Sequence, residues 1–132
     1  MDLNAVDSIA ACERGREITI NDAAGNPTDF RIMLMGVDSR VFKLEFGKLN
    51  SKMAMLAKRG KAMPPDEEEK DLCRIMARCT LGWSGLTSGG EAVPFSREKA
   101  EEIYLGYPLI NKQVFLELLD REAYLGNVER AG

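Results

Sequence analysis

The chain has 132 residues, 45% hydrophobic and 30% charged, and a net charge of −3. This is the size and composition of one folded globular domain, and it excludes a chain disordered along most of its length. There is no histidine, so the usual neutral-pH acid–base residue, the commonest metal ligand and any histidine-paired nucleophile are excluded as well.

Asn4 to Cys12 carries Val6, Ile9 and Ala10, the pattern of a short helix or a docking arm. Glu17 to Ile20 alternates polar and apolar residues, and β-branched Ile18, Thr19 and Ile20 favour a strand. Asn21 to Pro27 is a dense turn signal, in which Gly25 can take positive φ and Pro27 stiffens the exit. Phe30, Ile32 and Leu34 then alternate as a half-buried strand would, ending at Gly36. An antiparallel hairpin follows, and two strands alone are marginal in water, so it must pack on helices or on another subunit.

Asp38 or Ser39 can cap a helix whose Phe42, Phe46, Leu49, Met53 and Leu56 fall on one face. Gly47 and the Asn50-Ser51 pair weaken its centre and predict a break or bend near residue 50. Residues 60–65 are a linker closed by two prolines. Asp66 begins the next helix, where Asp66 and Glu69 are spaced for reciprocal capping and the acidic cluster suits the helix dipole. Its stripe of Leu72, Ile75, Met76 and Cys79 ends near Leu81-Gly82-Trp83.

SGLTSGGE reads as a turn or short hairpin, and Phe95-Ser96 as a hydrophobic staple and N-cap, with Phe95 packing on Ala100 or Ile103. Ile103, Tyr104 and Tyr107 line the helix that follows. After Pro108 a last helix presents Ile110, Val114, Phe115, Leu118 and Leu119 as one apolar face; Gly126 ends it, and residues 127–132 form a frayed tail. The expected fold is α+β, mainly α: an N-terminal arm and β-hairpin over residues 1–36, packed with about four helices over residues 37–132 as a single compact unit.

Cys12, Cys73 and Cys79 are an odd set, and Cys73 and Cys79 point to different sides of a helix, so neither a disulfide framework nor a shared metal is expected. Cys79 reads as a small buried hydrophobe. No apolar run reaches the roughly 20 residues that cross a bilayer. The opening MDLNAVDSIAACERGR lacks the apolar core of a secretory signal, so no membrane association and a cytoplasmic location are expected.

Glu101-Glu102 are adjacent on a wet helix face, and the glycines around Trp83 spell no phosphate loop, so no catalytic, cofactor or metal residue is expected. Trp83 reads as core, its indole N–H on a loop carbonyl, in preference to an exposed anchor. Residues 40–62 carry a net +6 between flanks of −4 and −5. That basic middle fits a solvated helix face, an acidic partner or a neighbouring subunit better than nucleic acid, since no aromatic residues interleave it. The candidate protein-interaction surface is Phe42, Phe46, Lys48, Lys52, Lys58, Trp83, Tyr104 and Tyr107.

Three segments carry a resemblance. The first is ITINDAAGNPTDFRIMLMGVDS; the second is Leu81-Gly82-Trp83-Ser84-Gly85-Leu86 with Gly90-Glu91 and Val93-Pro94-Phe95-Ser96. The third is Ala100 with Tyr107-Pro108-Leu109-Ile110-Asn111-Lys112-Gln113-Val114, closing on Asp120-Arg121 and Tyr124-Leu125. In order and spacing, residues 17 to 126 resemble tailed-bacteriophage tail assembly chaperones and related tail-module proteins. The resemblance implies a mostly helical, non-catalytic, self-associating protein that binds tape-measure and tail-tube proteins in the host cytoplasm. A structural subunit kept in the virion or tail has the same signature. A small nucleic-acid-binding regulator using residues 40–62 is the reading from a different class.

Overall fold

The computed structural model describes residues 1–131, with side-chain environments through Gly126. It is mixed α and β, mainly helical, with the antiparallel hairpin at its N-terminal end. A 3-10 turn (Leu3–Val6) leads into α1 (Ser8–Arg14), then strands β1 (Arg16–Asn21) and β2 (Pro27–Leu34). Along both strands alternate residues are buried: Ile18, Ile20, Phe30, Ile32 and Leu34 face the helices, and Glu17, Thr19, Arg31 and Met33 face water. The connecting turn closes on Asp22, whose carboxylate accepts from the N–H groups of Ala24 and Asn26, with Gly25 at φ 85°.

The hairpin is completed by a third strand, β3 (Thr80–Ser84), paired antiparallel to β2 with Trp83 opposite Ile32. The sequence pattern placed this segment at a helix end, where it expected the stripe to run on to Leu81-Gly82-Trp83. The helix stops at Cys79 because the chain there turns onto the free edge of β2, and Met35 donates to the Cys79 carbonyl at 2.8 Å. The far edge of the sheet is covered too: Gln113 bonds both the N–H and the carbonyl of Asn21 on β1.

Helix α2 (Arg40–Lys58) is capped by Ser39, which accepts from Phe42 N at 3.2 Å. It is continuous over 19 residues with no break at residue 50. Burying the stripe of Phe42, Phe46, Leu49, Met53 and Leu56 on the core outweighs the low helix propensity of Gly47 and Asn50. Helix α3 (Pro65–Cys79) starts one residue before Asp66, with Pro65 at the first helical position and no side-chain cap. Proline is preorganised for that position, so the Asp66–Glu69 box does not form, while Asp66, Glu67 and Glu68 still sit at the positive end of the helix.

A small hairpin, β4 (Thr87–Ser88) with β5 (Glu91–Ala92), turns through Gly89 and Gly90, both at positive φ as a two-residue loop requires. Ser96 caps α4 (Arg97–Gly106), accepting from Lys99 N at 3.0 Å. The single last helix of the sequence pattern is two, α5 (Pro108–Leu119) and α6 (Arg121–Ala131). Asp120 leaves the helical conformation and accepts from Ala123 N, which turns α6 back over the N-terminal segment. Gly126 therefore lies inside α6, whose backbone continues to Ala131. Of the tail expected at 127–132, Gly132 and the side chains of the other five lie outside the described residues.

The main core joins the inner sheet face to α2, α3, α4 and α5. A second cluster, Ala11, Cys12 and Tyr124, holds α1 against α6. Here Tyr124 donates to the Leu34 carbonyl at 3.0 Å, the Arg16 guanidinium lies 4.7 Å over the Tyr124 ring, and Arg121 pairs with Asp38.

Candidate protein-interaction surface

The eight residues of the expected surface separate into buried and exposed groups. Phe42 and Phe46 stack with ring centroids 5.2 Å apart, but Phe42 is buried and Phe46 half-buried on the core side of α2. Both anchor the helix on the core, and burial takes Phe42 out of reach of a partner. Trp83 is half-buried under the β4–β5 hairpin, its Nε1 donating to the Val93 carbonyl at 2.9 Å. Phe30 and Phe95 meet its ring edge-on at 5.6 and 5.0 Å.

Tyr104 is the clearest correction. It is fully buried, and its hydroxyl shares a 2.7 Å hydrogen bond with Thr80, which in turn donates to the Met76 carbonyl. Burial pushes its phenol up to about 12. It joins α4 to the α3–β3 junction, and only unfolding of that junction would expose it. Tyr107, one helical turn on, is 56% exposed at a small depression formed by Leu86, Val93, Ile103 and Ile110.

Lys48, Lys52 and Lys58 are exposed on α2. Lys52 is the most constrained, with Glu67 at 2.7 Å and Asp71 at 3.3 Å, and these two carboxylates raise its pKa. Asp71 is itself buried and also held by Arg74 at 2.7 Å, so Lys52 helps bind α2 to α3. Lys48 faces Glu45 at 3.6 Å. Lys43, Lys58, Arg59 and Lys61 make no ion pair among the described residues.

Lys48 and Lys52, expected on the outer face of α2, lie beside two apolar residues that the sequence pattern did not single out. Leu44 and Met55 are 60% and 58% exposed, with Gly47 and Ser51 between them. Together with Lys43, Lys48, Lys52 and Arg59 they line an open trough of about 750 Å³. The signal was present: Leu44 and Met55 lie off the stripe that runs through Phe42, Leu49 and Leu56. A second surface stripe, Leu109, Leu116 and Leu119, lies on α5; Leu119, expected in the core, is 41% exposed.

All three cysteines are buried, and burial raises the Cys12 thiol and pushes those of Cys73 and Cys79 up to about 11 and 12, so they stay protonated and shielded. Among the described residues no three His, Cys, Asp or Glu side chains converge as metal ligands. No described helix is long and apolar enough to cross a membrane. Compared with known protein families, curated proteins and solved structures, the chain matches none of them.

Proposed function

We propose that this chain is a non-enzymatic tail morphogenesis protein of a tailed phage, a tail assembly chaperone that binds tape-measure or tail-tube protein in the host cytoplasm. The observation that carries the reading is the outer face of α2, a seam with apolar Leu44 and Met55 at its ends and cations along its rim, on a helix otherwise anchored by one stripe. A long helical tape-measure chain exposes apolar stripes that aggregate before a tube encloses them. A small subunit with a shallow, wet-rimmed apolar face covers such stripes reversibly. The ordered motifs across residues 17 to 126 supply the phage-tail context, and self-association into a homo-oligomer belongs to the same reading.

The test is which protein co-purifies with this one from infected cells, together with mass spectrometry of purified particles. Recovery of a tail protein from the lysate, and absence of this chain from the particles, is the expected pair of results. Stoichiometric recovery in particles moves the assignment to a structural subunit of the virion or tail. The basic run 40–62 also motivates nucleic-acid binding. That reading requires a duplex shift at low salt that is lost with added salt and with Lys48, Lys52 and Lys58 changed to glutamate. Finding no shift removes it.

A further inference from the structure

We infer that the outer face of α2 is a docking groove for one amphipathic helix of a protein partner, whose apolar stripe is flanked by aspartate or glutamate. This rests on the reading above and names the chemistry of the partner. Leu44 and Met55 are 11 positions apart, which at 1.5 Å per residue is about 16 Å, or three helical turns. Gly47 and Ser51 fall between them on the same face. A Cβ built on Gly47 meets nothing within 4 Å, so another backbone can approach the helix there. Close approach along a straight seam with apolar ends fits a second helix at the usual 8–10 Å spacing.

The rim decides the sign of the partner. At 100° per residue Lys43 lies on one side of the seam, and Lys48, Lys52 and Arg59 on the other. Lys43 and Arg59 make no ion pair among the described residues. An acidic-flanked helix therefore satisfies both rims while covering Leu44 and Met55. A second copy docking by the same face would set these cations against themselves. Nucleic acid would neutralise the rim yet leave the two apolar side chains against phosphate and sugar, with no aromatic ring in the trough to stack on.

The probe is a fluorescent peptide of about 18 residues, or five turns, with leucine at helical spacing and glutamate on both flanks. It is titrated against the full chain by anisotropy. Two controls keep the leucines with lysine flanks, or scramble the order. The acidic amphipathic peptide binds, salt weakens it, and both controls bind about tenfold weaker or less. Gly47→Leu fills the seam in open space and improves helix propensity, so it raises the melting temperature while weakening the peptide about tenfold. Lys43→Glu with Arg59→Glu weakens it through the rim.

Equal binding of the scrambled peptide overturns the inference, as does wild-type affinity in Gly47→Leu. Displacement of the peptide by a short DNA duplex gives the face to nucleic acid. A dimer seen by light scattering and dissolved by Gly47→Leu gives it to a second copy. Failure of this site and failure of the functional reading separate cleanly in infected cells. A tail protein that co-purifies equally with wild type and Gly47→Leu keeps the chaperone reading and removes the groove. Groove-dependent peptide binding with no tail protein recovered keeps the groove and removes the reading.

Discussion

Helices α2 and α3 lie side by side, yet they do opposite work. Over 15 residues α3 buries six, including Cys73, Ile75, Met76 and Cys79, and it packs on α2, α4, α5 and β3. Over 19 residues α2 buries only Phe42 and Leu49, and α3 is its main neighbour. One helix is surrounded, so its composition answers to packing. The other is anchored along one stripe, and its remaining surface answers to solvent or to a partner. Apolar residues on α3 are therefore explained by the fold, while Leu44 and Met55 on α2 are not.

The largest expected effect tests that contrast directly. Ile75→Ala removes a fully buried side chain from α3 and lowers stability by about 2–5 kcal/mol. Leu44→Ala on α2 changes it by no more than about 0.5 kcal/mol. Urea unfolding of the two variants measures both. A loss at Leu44 comparable to that at Ile75 would mean that the outer face of α2 is already covered, and the contrast would collapse.

A second variant asks whether the other end of the molecule is as closely packed as α3. A Cβ at Gly36 would lie 2.5 Å from Cys12 Sγ and 2.8 Å from Tyr124 Cε2. Backbone pairing of Gly36 with the Cys12 carbonyl at 3.0 Å leaves little room to shift. Gly36→Ala thus costs about 1–3 kcal/mol by overpacking, read from the same unfolding curves. Wild-type stability would show that α1 and α6 yield easily.

These sites also show what a linear reading can and cannot reach. The hairpin was legible because Ile18, Ile20, Phe30, Ile32 and Leu34 alternate around a turn whose chemistry is local. The caps at Ser39 and Ser96, the buried Cys79 and the bonded indole of Trp83 were legible for the same reason. Strand β3 was not, because its partner is β2, some fifty positions earlier, and five residues after a helix carry little pattern. The break at Asp120 was hidden because the force that makes it is distant: Tyr124 docks on Leu34 and Cys12. Tyr104 and Tyr107 share a helix face in any wheel diagram, and only the packing of α4 on α3, with Thr80 on the Tyr104 hydroxyl, buries one and leaves the other wet. On the outer face of α2 Lys48 and Lys52 were legible, and Leu44 and Met55 were not, because an apolar residue in a helix is ordinarily credited to the core.

Acid provides a subtler test of the same corner. Two hydrogen bonds from Arg121, helped by Ser8, lower the Asp38 carboxyl from 3.8 to about 2 against the cost of burying it. A carboxyl depressed in the folded state contributes stability that is complete above its unfolded value and is lost as pH falls through the folded one. The contribution is therefore full at neutral pH and disappears between about pH 4 and 2. Asp38→Asn should flatten the stability curve over that window, followed by urea midpoints. An unchanged slope would show that Arg121, half exposed, holds Asp38 only weakly.

The smallest effect has the opposite sign. Gly47 sits in the middle of α2 with nothing within 4 Å of its missing side chain and no positive φ to justify glycine. Alanine there should stabilise the chain by about 0.5–1 kcal/mol, visible as a modest rise in melting temperature. On α3 the comparable small position, Ala77, is 2% exposed. The open space at Gly47 is what the proposed docking helix would approach. If Gly47→Ala stabilises the free chain and also weakens the acidic peptide, the two helices differ because one of them is unfinished without a partner. If it stabilises the chain and leaves binding untouched, α2 is simply a looser helix, and the seam is wide enough to lose a hydrogen for a methyl group without consequence.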